Sequence, residues 1–290
     1  MMVVFIAAWF SGVATIFPAM LGAAFFLSVI SIIDDISGLA AWIRLLAHLF
    51  AASFITLFFL SGSDSLSSAV AMRSLVSGVA LILLMTWSTN LFNFMDGADG
   101  LAGGMALFGF GAYAIAANQF MPASPDAASI ATLCAITSGA ALGFLFFNFS
   151  PAKVFMGDAG SISLGFLAAV LGIHGISLGL WAWWFPLLVF SPFIVDATTT
   201  LFKRICRREK IWIAHRQHYY HQLILSGWNH RRVALSYYAV MIACGGSALV
   251  AREVAFPAPL LAFWVVTYVM LIIFLERHFR LKRESRDSRQ

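Results

Sequence analysis

Apolar residues run along almost the whole chain in long blocks, separated by short polar punctuation. The blocks fall near residues 3–15, 18–33, 42–60, 72–92, 101–118, 128–147, 161–178, 181–197, 233–251 and 257–275. A helix crosses ~30 Å of hydrocarbon with about 20 apolar residues, and most of these blocks approach that length. The first two are short, and one long helix through both fits the same pattern. Nowhere does the alternation expected of a membrane β-barrel appear. The pattern predicts an all-α fold, a polytopic integral membrane helical bundle of about ten transmembrane helices. It reads as one membrane domain over residues 1–290, with a basic tail at 276–290. No internal repeat or separate soluble domain interrupts it, and the longest polar stretch is 198–232.

Composition agrees. Of 290 residues, 61% are hydrophobic and 11% charged, whereas soluble domains carry roughly 25% charged residues. No Lys or Arg precedes Arg44, so the chain lacks the charged start of a cleaved signal peptide and its first blocks read as retained spans. Cys134 and Cys244 lie in apolar blocks and Cys206 in a basic loop, which fits reduced, structural thiols. Charge then gives orientation. Sixteen of the eighteen Lys and Arg residues fall on one side, in Arg44, Lys153, the 203–216 run, Arg231, Arg232 and the tail. Only Arg73 and Arg252 fall on the other. The positive-inside rule makes the first side cytoplasmic, together with the C-terminus. The tail reads first as a solvated topology signal, with contact to anionic lipid headgroups as the alternative, and nucleic acid is not an expected partner.

The acidic residues sharpen the picture. Asp34, Asp35, Asp96, Asp99, Asp158 and Asp196 come from four separate places in the sequence, yet all map to cytoplasmic helix ends or loops. The other seven acids sit in external loops or beside basic residues and read as solvated charges. Six carboxylates at one face repel each other unless a cation intervenes, and oxygen ligands suit Mg²⁺. Two glycine-rich turns, "DGADGLAGG" (Asp96–Gly104) and "MGDAGS" (Met156–Ser161), each open an apolar block. Such turns offer free backbone N–H groups and a positive helix end to phosphate. Further on, "HRQHYYH" spaces His215, His218 and His221 at three-residue intervals around Arg216, a set that suits phosphate binding or proton movement. Zinc is the competing reading, disfavoured because no cysteine or second ligand pair stands at metal spacing. Asp34 and Asp158 also suit helix capping, and Asp196 could cap or pair with Arg204. A transporter or lipid flippase is the alternative function, although its carboxylates are expected near the bilayer midplane.

Four segments, in order, resemble the polyprenyl-phosphate N-acetylhexosamine-1-phosphate transferases, glycosyltransferase family 4. They are "DDISGLAAWIRLLAH" (34–48), "NLFNFMDGADGLAGG" (90–104), "NFSPAKVFMGDAGSISLGF" (148–166) and "PFIVDATTTLFKRI" followed by "AHRQHYYHQL". The likeness covers roughly residues 20–235. It implies a bacterial inner-membrane enzyme with a cytoplasmic-face active site. Such an enzyme transfers a sugar-1-phosphate from a UDP-N-acetylhexosamine to undecaprenyl phosphate and releases UMP, as the first membrane step of an O-antigen, capsule or other envelope polysaccharide. The implied cofactor is Mg²⁺, with Mn²⁺ as the alternative. The implied partners are the two substrates, the bilayer and, as an open alternative, a second copy in a homodimer.

By the same resemblance, Asp158 coordinates the metal with Asn93 beside it. Asp96 and Asp99 serve nucleotide and diphosphate, Asp34 and Asp35 handle the lipid phosphate, and His218 and His221 touch substrate phosphates. Phe155 stacks on uracil, and Asn148, Lys153, Asp196, Arg204 and Arg216 complete the substrate-binding set. "HYYH" is closest to the branch using N-acetylfucosamine or N-acetylquinovosamine nucleotides. The family's N-terminal span and the basic, glycine-rich loop after it have no counterpart here. That leaves a displaced start or a shortened form, with some substrate contacts missing.

Overall fold

The computed structural model describes residues 17–61, 68–119, 124–210, 213 and 215–287, so the apolar block at 3–15 lies outside the described residues. Among them the chain forms α1 (Phe17–Ser37), α2 (Ala41–Ser61), α3 (Ser68–Phe94), α4 (Leu101–Asn118), α5 (Pro125–Asn148) and α6 (Gly157–Ser177). There follow α7 (Trp184–Val189), α8 (Ser191–Cys206), α9 (Tyr219–Leu225), α10 (His230–Ala251) and α11 (Ala258–Asp287). No strand occurs among the described residues. Eight of these helices, α1 to α6, α10 and α11, are long and apolar enough to cross a membrane.

One expected span takes a different form. The block at 181–197 is two helices, α7 and α8, that meet at Phe190. Pro192 in the first turn of α8 suits a helix start, because its missing N–H has no helical partner there. Past that point the sequence turns amphipathic. Pro192, Asp196, Thr200 and Arg204 stack one turn apart on a buried face, so α8 lies against the bundle instead of continuing α7.

The remaining helices pack around α4 and α6, the most buried spans. Helix α4 is flanked by α5 and α10, α6 by α3 and α1, and α2 closes on α1 and α3. Apolar lipid gives helices little hydrophobic reason to associate, so small residues and hydrogen bonds set these contacts. At Gly165 a Cβ would lie 2.4 Å from the Ser88 carbonyl oxygen, and Ser88 Oγ donates to the Gly165 carbonyl at 2.8 Å. Ser28 and Ser163 join α1 to α6 through hydroxyls 2.7 Å apart. This packing gathers the α1–α2 turn, the α3–α4 loop, the α5–α6 loop and the α8–α10 connection at one end of the bundle.

Candidate active site

Helix α1 delivers Asp34 and Asp35 one turn before its end, and Gly38, at φ 65°, reverses the chain into α2. Arg44 then stands in the first turn of α2. Its Nη1 donates to Asp34 Oδ2 at 3.0 Å and lies 3.6 Å from Asp158 Oδ2, at the start of α6. From the last turn of α3, Asn93 Nδ2 donates to Asp158 Oδ1 at 2.7 Å and approaches Ser161 Oγ at 3.3 Å. Asp35 is exposed beside Gly157, where a Cβ would lie 3.8 Å from its Oδ2. Four helices thus converge on Asp158. Arg44 is the one cation in contact with its carboxylate among the described residues.

The α3–α4 loop supplies the next layer. Burial, and secondarily the Asp158 carboxylate, push Asp96 up to about 7. Asp99 is tied on both oxygens. Oδ1 lies 3.0 Å from His230 Nδ1 and Oδ2 accepts from the Ala152 N–H at 3.2 Å. Gly100 takes φ 75°, the left-handed region that favours glycine. Its N–H donates to Asn148 Oδ1 at 2.9 Å, and its carbonyl accepts from Tyr238 OH at 2.6 Å. Asn148, expected among the substrate contacts, is buried. Its Nδ2 donates to the Val154 carbonyl at 2.8 Å, so it pins the 149–156 segment to the glycine loop.

The histidine segment docks on the same loop. A Cβ at Gly97 would lie 2.3 Å from Tyr220 OH and 2.8 Å from His221 Nε2, so only glycine leaves room for that approach. Tyr220 OH donates to the Phe94 carbonyl at 2.9 Å. His221 stacks on Tyr220 with ring centroids 4.0 Å apart. His218 is buried, stacked against Phe94 and His215. Burial, with the His218 charge as the next cause, lowers His221 to about 4; the ring is neutral near pH 7. His221 Nδ1 is buried without a hydrogen-bond partner among the described residues, whereas His218 Nδ1 lies 3.4 Å from Asp196 Oδ1.

Two predicted substrate contacts serve the scaffold instead. Asp196 is buried and accepts from the N–H groups of Tyr219 (2.9 Å) and Tyr220 (3.2 Å) and from Tyr237 OH (2.5 Å). It therefore caps α9, and it does not pair with Arg204. Arg204, also buried, binds Glu209 at 3.0 Å and the carbonyls of Lys210 and Ile213. Lys153 and Phe155 lie on the exposed α5–α6 segment, Phe155 with 75% of its surface free. Arg216 is exposed and lines a pocket with Gln222 and Ser226. Three contributors went unsuspected. Arg44 was legible only as a topology charge, although it sits ten residues past Asp34. His230 and Tyr238 carry no motif signal, because α10 brings them in from outside the matched segments.

Comparison with known proteins bears on this arrangement. The sequence model of glycosyl transferase family 4 matches residues 17–176, which carry Asp34, Asn93, Asp96 and Asp158. The chain belongs to glycosyl transferase family 4. It is 30% identical over 260 residues to a probable undecaprenyl-phosphate N-acetylglucosaminyl 1-phosphate transferase of Bacillus subtilis, covering 87% of this chain and 69% of that one. It is 35% identical over 170 residues to a phospho-N-acetylmuramoyl-pentapeptide-transferase of Geobacillus kaustophilus, covering 56% and 48%. A protein of the same name from another Geobacillus is 38% identical over 165 residues, covering 55% and 47%. The chain thus spans about two thirds of the first relative's length and about half of the other two. Within this family, the site described above is built from three separated segments of the matched region, with α9 and α10 closing it from beyond.

Among the described residues no three His, Cys, Asp or Glu side chains form a ready metal cage. The donor chemistry nevertheless fits a hard divalent cation. Mg²⁺ usually takes one or two carboxylates and completes its shell with water and substrate phosphate. Asp158 has Asn93 beside it and shares one guanidinium with Asp34, while burial and the Asp158 carboxylate raise the nearby Asp96.

Proposed function

We propose that this protein transfers a sugar-1-phosphate from a UDP-N-acetylhexosamine to undecaprenyl phosphate and releases UMP, with Mg²⁺ as cofactor. The observation that carries the reading is the meeting of Asp34, Arg44, Asn93 and Asp158 on four helices at one bundle end. All four lie at helix ends, where a membrane-borne phosphate and a soluble nucleotide can meet. A transporter would hold its acids near the midplane. The names of the relatives above support the same chemistry.

In the reaction, an oxygen of the lipid phosphate attacks the sugar-bearing β-phosphorus. The bond from that phosphorus to the bridging oxygen breaks, and its electron pair leaves with UMP. Asp158, with Asn93, would hold the Mg²⁺, which when bound neutralises charge on the diphosphate. Such transfers depend mainly on positioning and on neutralising charge. Asp34 and Asp35 lie at the end of a span, where the lipid phosphate would arrive. Arg44 is placed to exchange a carboxylate for a phosphate oxygen. A lipid phosphate near its second pKa of ~6 needs little help from a base, which favours direct attack over a phospho-enzyme aspartate. Asp96 and the glycine loop would face the nucleotide diphosphate, and exposed Phe155 would be free to stack on uracil. His218 and His221 would contact substrate oxygens, His221 as a neutral ring whose Nδ1 is buried without a partner. We further assign the site end to the cytoplasm and the product to the first membrane step of an envelope polysaccharide, with an N-acetylfucosamine- or N-acetylquinovosamine-type nucleotide as donor.

Membranes carrying the protein, given undecaprenyl phosphate, Mg²⁺ and a panel of UDP-N-acetyl sugars, should release UMP with at least one sugar. Asp158→Asn and EDTA should each abolish that release. UMP release that survives both would overturn the metal assignment.

A further inference from the structure

Helix α11 is the least buried of the eight spans, with 6% of its apolar window covered. A few polar contacts hold it to the body. Tyr268 OH meets Ser191 Oγ at 2.7 Å, Trp264 Nε1 donates to Ser247 Oγ at 3.0 Å, and Lys203 pairs with Glu276. Between these contacts lies an apolar cavity of about 260 Å³, walled by Val195, Tyr237, Val240, Leu271 and Leu275 among others. Tyr219 forms part of its wall and also lines a second, polar space of about 200 Å³ with Lys203, Arg207 and Arg280. Arg207, Gln217 and Gln222 continue from there into a third space of about 450 Å³, lined also by Arg216, Ser226 and Lys282.

The charges at the third space are one-sided, although Asp196 lines the apolar cavity and Glu276 the second space. No carboxylate lines the third space. Glu209 is engaged by Arg204 and Gln217, and Glu276 by Lys203 and Tyr219. Arg207 and Arg216 form no direct ion pair among the described residues, although Arg207 lies near enough to Glu209 and Glu276 to be attracted to both. The path runs along the side of α9 away from the glycine loop: Tyr219 and Gln222, with Ser226 just past the helix, line it, while Tyr220 and His221 face Gly97.

We propose that this connected space binds one anionic glycerophospholipid. Its phosphodiester sits between Arg207 and Arg216, and one acyl chain passes Tyr219 into the apolar cavity. The membrane around α11 supplies the acyl chain, and basic pockets at helix ends favour anionic headgroups. The bound lipid would fill the gap that leaves α11 thinly packed. It would also press on Tyr219, the first residue of the helix that carries His221.

Native mass spectrometry of the purified full chain, delipidated in detergent, tests this with phosphatidylglycerol and phosphatidylcholine of identical acyl chains. Phosphatidylglycerol should bind at least about tenfold more tightly, and glycerol phosphate alone should bind far more weakly than the whole lipid. Arg207→Ala with Arg216→Ala should remove the preference. Leu271→Trp, which fills the apolar cavity without touching charge, should weaken both lipids. Arg277→Ala, on the same helix outside these spaces, should change nothing. Equal affinity for the two lipids would overturn the proposal. So would an equal loss in Arg277→Ala, which would indicate diffuse surface charge, or glycerol phosphate binding as tightly as the lipid. An unchanged secondary-structure spectrum keeps each variant interpretable.

Discussion

His221 is a titratable group held neutral by its surroundings, and that sets a pH dependence. Its ordinary pKa is 6.5, and burial lowers it to about 4 in the folded chain. Between those values the unfolded chain takes up a proton that the folded chain refuses, so folded stability falls as the pH drops from 6.5 toward 4. A shift of this size corresponds to about 3 kcal/mol at 1.36 per unit, and the partial exposure of the ring discounts it to about 1 kcal/mol. The melting temperature in detergent should therefore fall between pH 7 and pH 5, and His221→Gln should melt with a shallower pH slope. Identical slopes would show that the ring is solvated and not packed on Gly97. The position of this histidine was readable in the sequence from its spacing to His218; its neutrality was not. Neutrality follows from Tyr220 and the α3–α4 loop, which lie far from it along the chain.

At the level of elements, α9 is a helix of seven residues that stands because Asp196 caps it. The sequence offered two roles for that aspartate, and the geometry separates them, since its oxygens accept from two backbone N–H groups and a tyrosine hydroxyl. Asp196→Asn puts an NH₂ group against one of those donors and leaves it unsatisfied, at about 1–3 kcal/mol. Hydrogen exchange should then quicken in Tyr219–Leu225 while α4 stays protected, and the melting temperature should drop. If Asp196 instead bound substrate, the variant would melt like the parent and lose affinity for the nucleotide. The break between α7 and α8 shows why the block at 181–197 read as one span. Its residues are apolar enough, and what divides them is Pro192 together with a buried face that continues through Thr200 to Arg204. Windowed hydropathy averages over both features. Spans such as α4 and α6 were legible, because each is apolar on all sides and bounded by a glycine turn.

Taken as a whole molecule, the bundle places Asp34, Asp96 and Asp158 at one end although up to 124 residues separate them in the chain, because α6 starts where α1 and α3 end and packs against both. Which compartment that end faces is set by a different force. Lys and Arg resist translocation, and sixteen of eighteen lie in the segments that this end collects or in the tail. A soluble nucleotide donor would need the same side. Single cysteines placed at Lys153, Arg280 and Glu253 test this, after Cys206, the exposed native thiol, has been changed to Ala. Lys153 and Glu253 are exposed at opposite ends of the bundle, and Arg280 is exposed on α11 near the site end. A membrane-impermeant maleimide added to intact cells should label Glu253→Cys alone, and permeabilisation should add Lys153→Cys and Arg280→Cys. Labelling of Lys153→Cys in intact cells would invert the bundle and put the carboxylates beyond the reach of a cytoplasmic nucleotide. The charge count and the proposed reaction both predict the first pattern, so one labelling experiment bears on both.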